Sequence, residues 1–153
     1  MRKCNLNLTQ RFLMALGLCA CSMSTVWAQN DFAQSASKEP GAKVTASGLV
    51  FRSLQDGQGS SPSATDKVKV HYRGTFPDGK EFDSSYKRNQ AIEFPLNGVI
   101  PCWTEGVQLM KIGGKAKLTC PPNIAYGARG AGGVIPPNAT LQFEVELIAI
   151  AGK

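Results

Sequence analysis

Two segments alternate polar and apolar residues so regularly that they limit the architecture. In one, Val68, Val70 and Tyr72 share a face, and Lys67, Lys69, His71 and Arg73 share the other. In the second, Leu141, Phe143, Val145 and Leu147 point one way, and Gln142, Glu144 and Glu146 the other. Side chains of a strand leave alternately to its two faces, so each segment predicts a strand with one packed and one wet face. That pattern belongs to antiparallel sheets; a parallel sheet covered on both sides reads as continuous apolar runs.

The remaining elements follow from local signals. From Val44 to Leu54 there is no helical stripe, and the residues favour a strand. Pro77-Asp78-Gly79-Lys80 is a turn, and Glu81–Ser85 continues extended. Ile92, Phe94 and Leu96 share the face of another short strand, and Lys115–Cys120 is a strand stopped by Pro121 and Pro122. Residues 123–138 form a long Gly-rich loop. One convincing helix starts behind Pro101, carries Trp103, Val107 and Met110 at helical spacing, and ends at Gly113 and Gly114. With 153 residues the chain is one domain's worth of sequence. The expected fold is α+β: a curved antiparallel sheet of about five strands wrapped round one short helix. No dinucleotide fingerprint or phosphate loop is present, because the glycines at 127, 130, 132 and 133 have the wrong spacing.

The charge pattern points to export. Residues 1–28 carry Arg2, Lys3 and Arg11 with no acid, then an apolar run from Phe12 to Cys21, then Val26 and Ala28 before Gln29. This is the pattern of a signal peptide cut after Ala28, with too short an apolar run for a permanent span. Residues 29–43 are small and polar and read as a flexible lead-in; the folded domain is expected over 44–150. Leu18-Cys19-Ala20-Cys21 also loosely resembles a lipoprotein signal, so a membrane anchor through Cys21 is the alternative to a soluble periplasmic protein. The net charge of +6 falls to +3 without the leader, and the remaining bases are interspersed with acids, which argues against a nucleic-acid surface. Beyond the leader only Cys102 and Cys120 remain, either as a disulfide favoured by export or as two buried thiols. Two thiols and the lone His71 do not make a structural zinc site, and no cofactor is expected.

Five short motifs occur in order: Val70-His71-Tyr72-Arg73-Gly74, Phe82-Asp83-Ser84-Ser85, Val99-Ile100-Pro101-Cys102-Trp103, Ala125-Tyr126-Gly127, and Ile135-Pro136-Pro137-Asn138-Ala139-Thr140-Leu141. Together they resemble the FKBP-type peptidyl-prolyl cis-trans isomerases, particularly the bacterial exported branch, over about residues 44–150. The longer exported relatives carry an N-terminal helical dimerisation domain; this chain is expected to do without it and to be a monomer.

The resemblance implies a hydrophobic pocket with Trp103 as its floor. Tyr72, Phe82, Val99, Ile100, Tyr126 and Phe143 would line it, joined by Ile92 and by Val134 and Ile135 from the long loop. Ile92 stands where an aromatic ring is frequent, and Ala131 where the cytosolic members have a histidine. Asp83 would polarise and organise the site together with Arg88 and Tyr72, the Tyr126 hydroxyl would donate to a substrate carbonyl, and the Ile100 N–H would do the same. His71 lies on the wet face and is not expected to be catalytic. The implied activity is rotation of X–Pro bonds in exported polypeptides, with macrolide inhibitors among the expected ligands. A non-catalytic peptide-binding or chaperone module on the same scaffold is the alternative.

Overall fold

The computed structural model describes residues 24–152. It contains α1 (Ser24–Ser37), β1 (Ala42–Val44), β2 (Val50–Gln55), β3 (Lys67–Thr75), β4 (Glu81–Ser84), β5 (Ile92–Pro95), α2 (Pro101–Gln108), β6 (Lys115–Cys120) and β7 (Leu141–Ile150). The two alternating segments lie side by side as β3 and β7, antiparallel from Val68↔Ile150 to Thr75↔Gln142. Val68, Val70 and Tyr72 are buried on β3, and Leu141, Phe143, Val145 and Leu147 on β7, as the alternation predicts. A bulge opposite Lys69 and Val70 adds a residue to β7, so Ile150 turns inward again while Ile148 stays exposed.

The whole sheet is antiparallel in the order β1-β2-β6-β7-β3-β4, with β5 also paired to β3. This corrects the expectation of about five strands curved round one helix. Among the described residues there are seven strands in an open order, with β1 and β4 at its ends, and two α-helices. The extra strands come from local turns. The single strand expected from Val44 onward is a hairpin, turned at Gly48 (φ +91°) and closed by Thr45 donating to the Leu49 carbonyl at 2.9 Å. β4 and β5 divide the outer edge of β3 between them, β5 taking Lys67–Val70 and β4 taking Arg73–Thr75.

The segment 29–43, polar by composition, carries regular secondary structure. It forms the second half of α1, a turn and the start of β1. α1 has no pronounced apolar stripe; it is held from outside. Ala36 is buried, and just beyond the helix Glu39 accepts from Arg52 of β2 at 2.5 Å and from Lys117 of β6 at 3.0 Å. Those two bases face each other across the β2–β6 ladder, so one carboxylate relieves their repulsion. Residues 1–23, with the apolar run and Cys21, lie outside the described residues.

α2 packs Cys102, Trp103, Gly106 and Val107 inward. A methyl group at Gly106 would come within 2.8 Å of the Leu118 side chain, so glycine is what allows the helix to lie this close to β6. Cys102 and Cys120 are bonded to each other, both buried, and join the first turn of α2 to the end of β6. Closing an 18-position loop is worth roughly 3 kcal/mol by chain-entropy reasoning. Reduction is therefore expected to lower the melting temperature clearly; identical thermal melts with and without reductant would contradict this contribution.

Candidate active site

Between α2, β5 and the inner face of β3 and β7 lies a cavity of about 520 Å³. Its base is Trp103, buried at 5% exposure behind Pro101 in the first turn of α2. Proline suits that first-turn position because it has no N–H to leave unpaired there. Three rings surround the indole: Tyr72 and Phe143 edge-on with centroids 5.3 Å away, and Phe94 tilted at 5.4 Å. Phe82 meets Phe143 edge-on at 5.6 Å and Phe76 at 5.0 Å. Edge-to-face packing suits the ring quadrupoles and fixes ring orientation as well as burying area.

The polar side of the cavity is a small, closed network. The Tyr72 hydroxyl donates to Asp83 Oδ2, Arg88 Nη1 donates to Asp83 Oδ1 at 2.5 Å, and the Ser84 amide donates to Oδ1 at 2.8 Å. Arg88 Nη2 reaches the Tyr72 oxygen at 3.1 Å, which closes the triangle. Burial works against ionising Asp83, but the bonds from Tyr72 and Arg88, the Arg88 charge and the Ser84 amide outweigh it together. The carboxyl is held below its ordinary value and stays charged. Burial and the adjacent carboxylate push the Tyr72 hydroxyl upward, so it remains a donor.

Tyr72 is positioned from behind. Between the reaches of β5 and β4, the fully buried Ser85 takes the place of a strand partner. Its amide donates to the Tyr72 carbonyl at 2.9 Å, and its Oγ accepts the Tyr72 amide at 2.8 Å. The same Oγ lies 2.9 Å from His71 Nδ1 on the outer face, where His71 stacks on Tyr86.

The cavity brings together Tyr72, Phe82, Asp83, Ile92, Val99, Ile100, Trp103, Tyr126 and Phe143 of the residues expected from sequence. Tyr126 stands half out of it at 39% exposure. Arg88 joins through Asp83 without lining the cavity. Val134 and Ile135 are not among the residues lining this cavity: the loop folds back through an Ala131–Ile135 bridge, with Ile135 buried in the core cluster that also holds Trp103, and Val134 exposed. Phe94 and Gly98 line the cavity without having been singled out. Phe94 had a signal, since it alternates on the face of Ile92.

The sequence profile described as FKBP-type peptidyl-prolyl cis-trans isomerase matches residues 58–148, which hold every residue of this cavity. The chain belongs to the FKBP-type peptidyl-prolyl cis-trans isomerases. It is 53% identical over 113 residues to the FKBP-type 22 kDa peptidyl-prolyl cis-trans isomerase of Escherichia coli, covering 74% of this chain and 55% of that one. It is 56% identical over 113 residues to FkpA of Aeromonas hydrophila, covering 74% and 42%. The chain thus spans about half the length of these curated relatives. The crystal structure of FkpA from Escherichia coli superposes with a TM-score of 0.79 at 46% identity, over 82% of this chain and 58% of that one. A peptidyl-prolyl cis-trans isomerase structure from Pseudomonas syringae gives 0.78 at 40% identity, over 88% and 98%.

Gly74 of β3 lies against two of the rings of this FKBP pocket. A methyl group there would lie 2.5 Å from Phe82 Cζ and 3.1 Å from Phe143 Cε1. Gly74→Ala is expected to displace the Phe82 wall and weaken ligand binding to the pocket, read by quenching of Trp103 fluorescence; unchanged binding would show that the wall tolerates the methyl. Acid titration tests the Asp83 network. A carboxyl depressed in the folded state contributes stability above its ordinary value of about 3.9, lost as pH falls through the lower folded value. The stability difference between the wild type and Asp83→Asn should therefore shrink below about pH 4. A constant difference down to acid unfolding would contradict it.

Proposed function

We propose that this chain is a peptidyl-prolyl cis-trans isomerase that accelerates X–Pro rotation in exported, incompletely folded polypeptides. The observation that carries the reading is an aromatic cavity with one fixed, ionised carboxylate on its wall, within a matched isomerase domain.

The chemistry asks for no nucleophile. An X–Pro bond rotates unaided in tens to hundreds of seconds, because rotation breaks the resonance between carbonyl and nitrogen. The twisted amide is less conjugated and less polar than the planar one. A pyrrolidine ring seated on Trp103 between Tyr72, Phe82 and Phe143 loses water and finds an apolar environment that suits the twisted state. The Ile100 N–H and the Tyr126 hydroxyl would hold the flanking carbonyls, and Asp83, ionised and aligned by Tyr72 and Arg88, would face the rotating carbonyl carbon. A thousandfold gain requires about 4 kcal/mol of preferential binding of the twisted state. Several ring contacts and two directed hydrogen bonds are enough for that. Ile92 and Phe94 would shape the side that receives the residue before proline. A macrolide filling the same volume would compete with substrate.

Residues 1–28 would act as the export leader, cut after Ala28 or retained through a lipid on Cys21, with residues 29–43 leading into the catalytic domain over 44–150. The protein would work in the periplasm as a monomer. The bonded Cys102 and Cys120 support an oxidising compartment.

The test is the cis-to-trans rate on short chromogenic X–Pro peptides. Trp103→Leu and Asp83→Ala should each lower kcat/KM at least about tenfold, a cost of about 1.4 kcal/mol in the transition state, while folding is retained by circular dichroism. Full turnover in both variants would remove the pocket from the mechanism. No acceleration by folded wild-type protein would leave a binding module.

A further inference from the structure

We propose that the outer face of α2 is a second subsite, which holds the stretch of client polypeptide flanking the proline bound in the pocket. This rests on the isomerase reading above. Pro101, Thr104, Glu105 and Gln108 recur at helical spacing on the side of α2 away from its packed residues. With Val99 and Leu109 they bound a shallow groove of about 640 Å³. Val99 also lines the aromatic cavity, so the groove borders it. At the other end, Leu109 also lines a separate hollow of about 320 Å³ whose walls include Phe51 and Met110 but also Lys43, Asp56, Lys111 and Lys115. The cavity and the groove thus adjoin at Val99 and form a trough along α2 that ends at Leu109.

Geometry selects the occupant. The 8 residues of α2 extend about 12 Å, and an extended chain advances about 3.3 Å per residue. The trough thus accommodates about four residues beyond the pocket. A chain already held at its proline meets this surface at high effective concentration, so even weak contacts there add to binding. The chemistry is apolar at the far end. Leu109 is 51% exposed although it directly follows α2, and Val99 and Pro101 extend the apolar surface toward the pocket. Glu105 is engaged by Ser47 at 2.5 Å, and the Gln108 amide by the Thr104 carbonyl at 2.7 Å, so the polar edge is already partly satisfied within the protein. The matching client has a bulky apolar side chain about four residues from its proline. A tetrapeptide does not reach that far.

The experiment compares a short chromogenic tetrapeptide with two peptides of about 12 residues, one with Leu about four residues before the proline and one with it about four residues after. For Leu109→Ala, the ratio of kcat/KM on one of the long peptides to that on the tetrapeptide should fall about five- to tenfold, which corresponds to burial of part of one leucine side chain. A long peptide with Ser in place of Leu should show no such fall. An unchanged ratio, or an equal loss on all peptides, overturns the subsite. If wild-type protein accelerates none of them, the isomerase reading fails. Fluorescence anisotropy of labelled long peptides then decides the groove separately: equal affinity of wild type and Leu109→Ala overturns it, and weaker binding by the variant upholds it. Sedimentation of both proteins covers the other occupant, since wild-type dimers abolished by Leu109→Ala would assign the groove to a second copy of this chain.

Discussion

The contact of the Trp103 indole with the inward rings of the sheet is what the pocket depends on. α2 is only 8 residues long and is not stable alone, so it persists by packing. Trp103 supplies much of that packing, with Tyr72 from β3, Phe94 from β5 and Phe143 from β7 around it. Gly106 brings the helix close to Leu118, and the Cys102–Cys120 bond holds its first turn at the end of β6. The cavity is the part of this aromatic core that the helix leaves uncovered. Core and cavity wall are therefore largely the same residues, and substitutions in the pocket carry a stability cost that has to be separated from any catalytic one.

A carboxylate at the edge of such a core costs free energy unless it is paired. Asp83 is paired three ways, by a phenol, a guanidinium and a backbone amide. Arg88 and Asp83 are each more than a third exposed, so solvent screens their attraction and the pair adds little to stability. Its value is in orientation: the network keeps one negative charge fixed beside rings that otherwise present only apolar surface. Ser85 extends that order backward by holding both backbone groups of Tyr72 where neither β4 nor β5 reaches.

Much of this was legible from residue patterns. Strict alternation identified β3 and β7 and the faces on which Tyr72 and Phe143 lie. Spacing and Pro101 identified α2, with Trp103 inward. The five motifs led to the family, and the leftover pair of cysteines pointed to a bond that the structure contains. These signals are local, or rest on short runs whose order in the chain is enough. The strand count was not legible. Gly48 splits one apparent strand into a hairpin, and the edge of β3 is shared by β4 and β5, which no periodicity reveals. α1 was not legible because it has no pronounced apolar stripe; beside its buried Ala36, the ion pairs just beyond it join Glu39 to bases on two other elements, β2 and β6.

Sequence by itself determined which face each central residue takes, where the one strongly amphipathic helix lies and which family the chain resembles, because those depend on backbone periodicity and contiguous motifs. Tertiary structure alone decided which side chains share the cavity. It placed Phe94 beside Trp103, carried Arg88 to Asp83, buried Ile135 in the core, and set the pocket beside the groove on α2, with Val99 lining both. Alternation specifies the face of a strand but not its neighbour, and neighbours are set by pairing and loop closure between residues far apart in the chain.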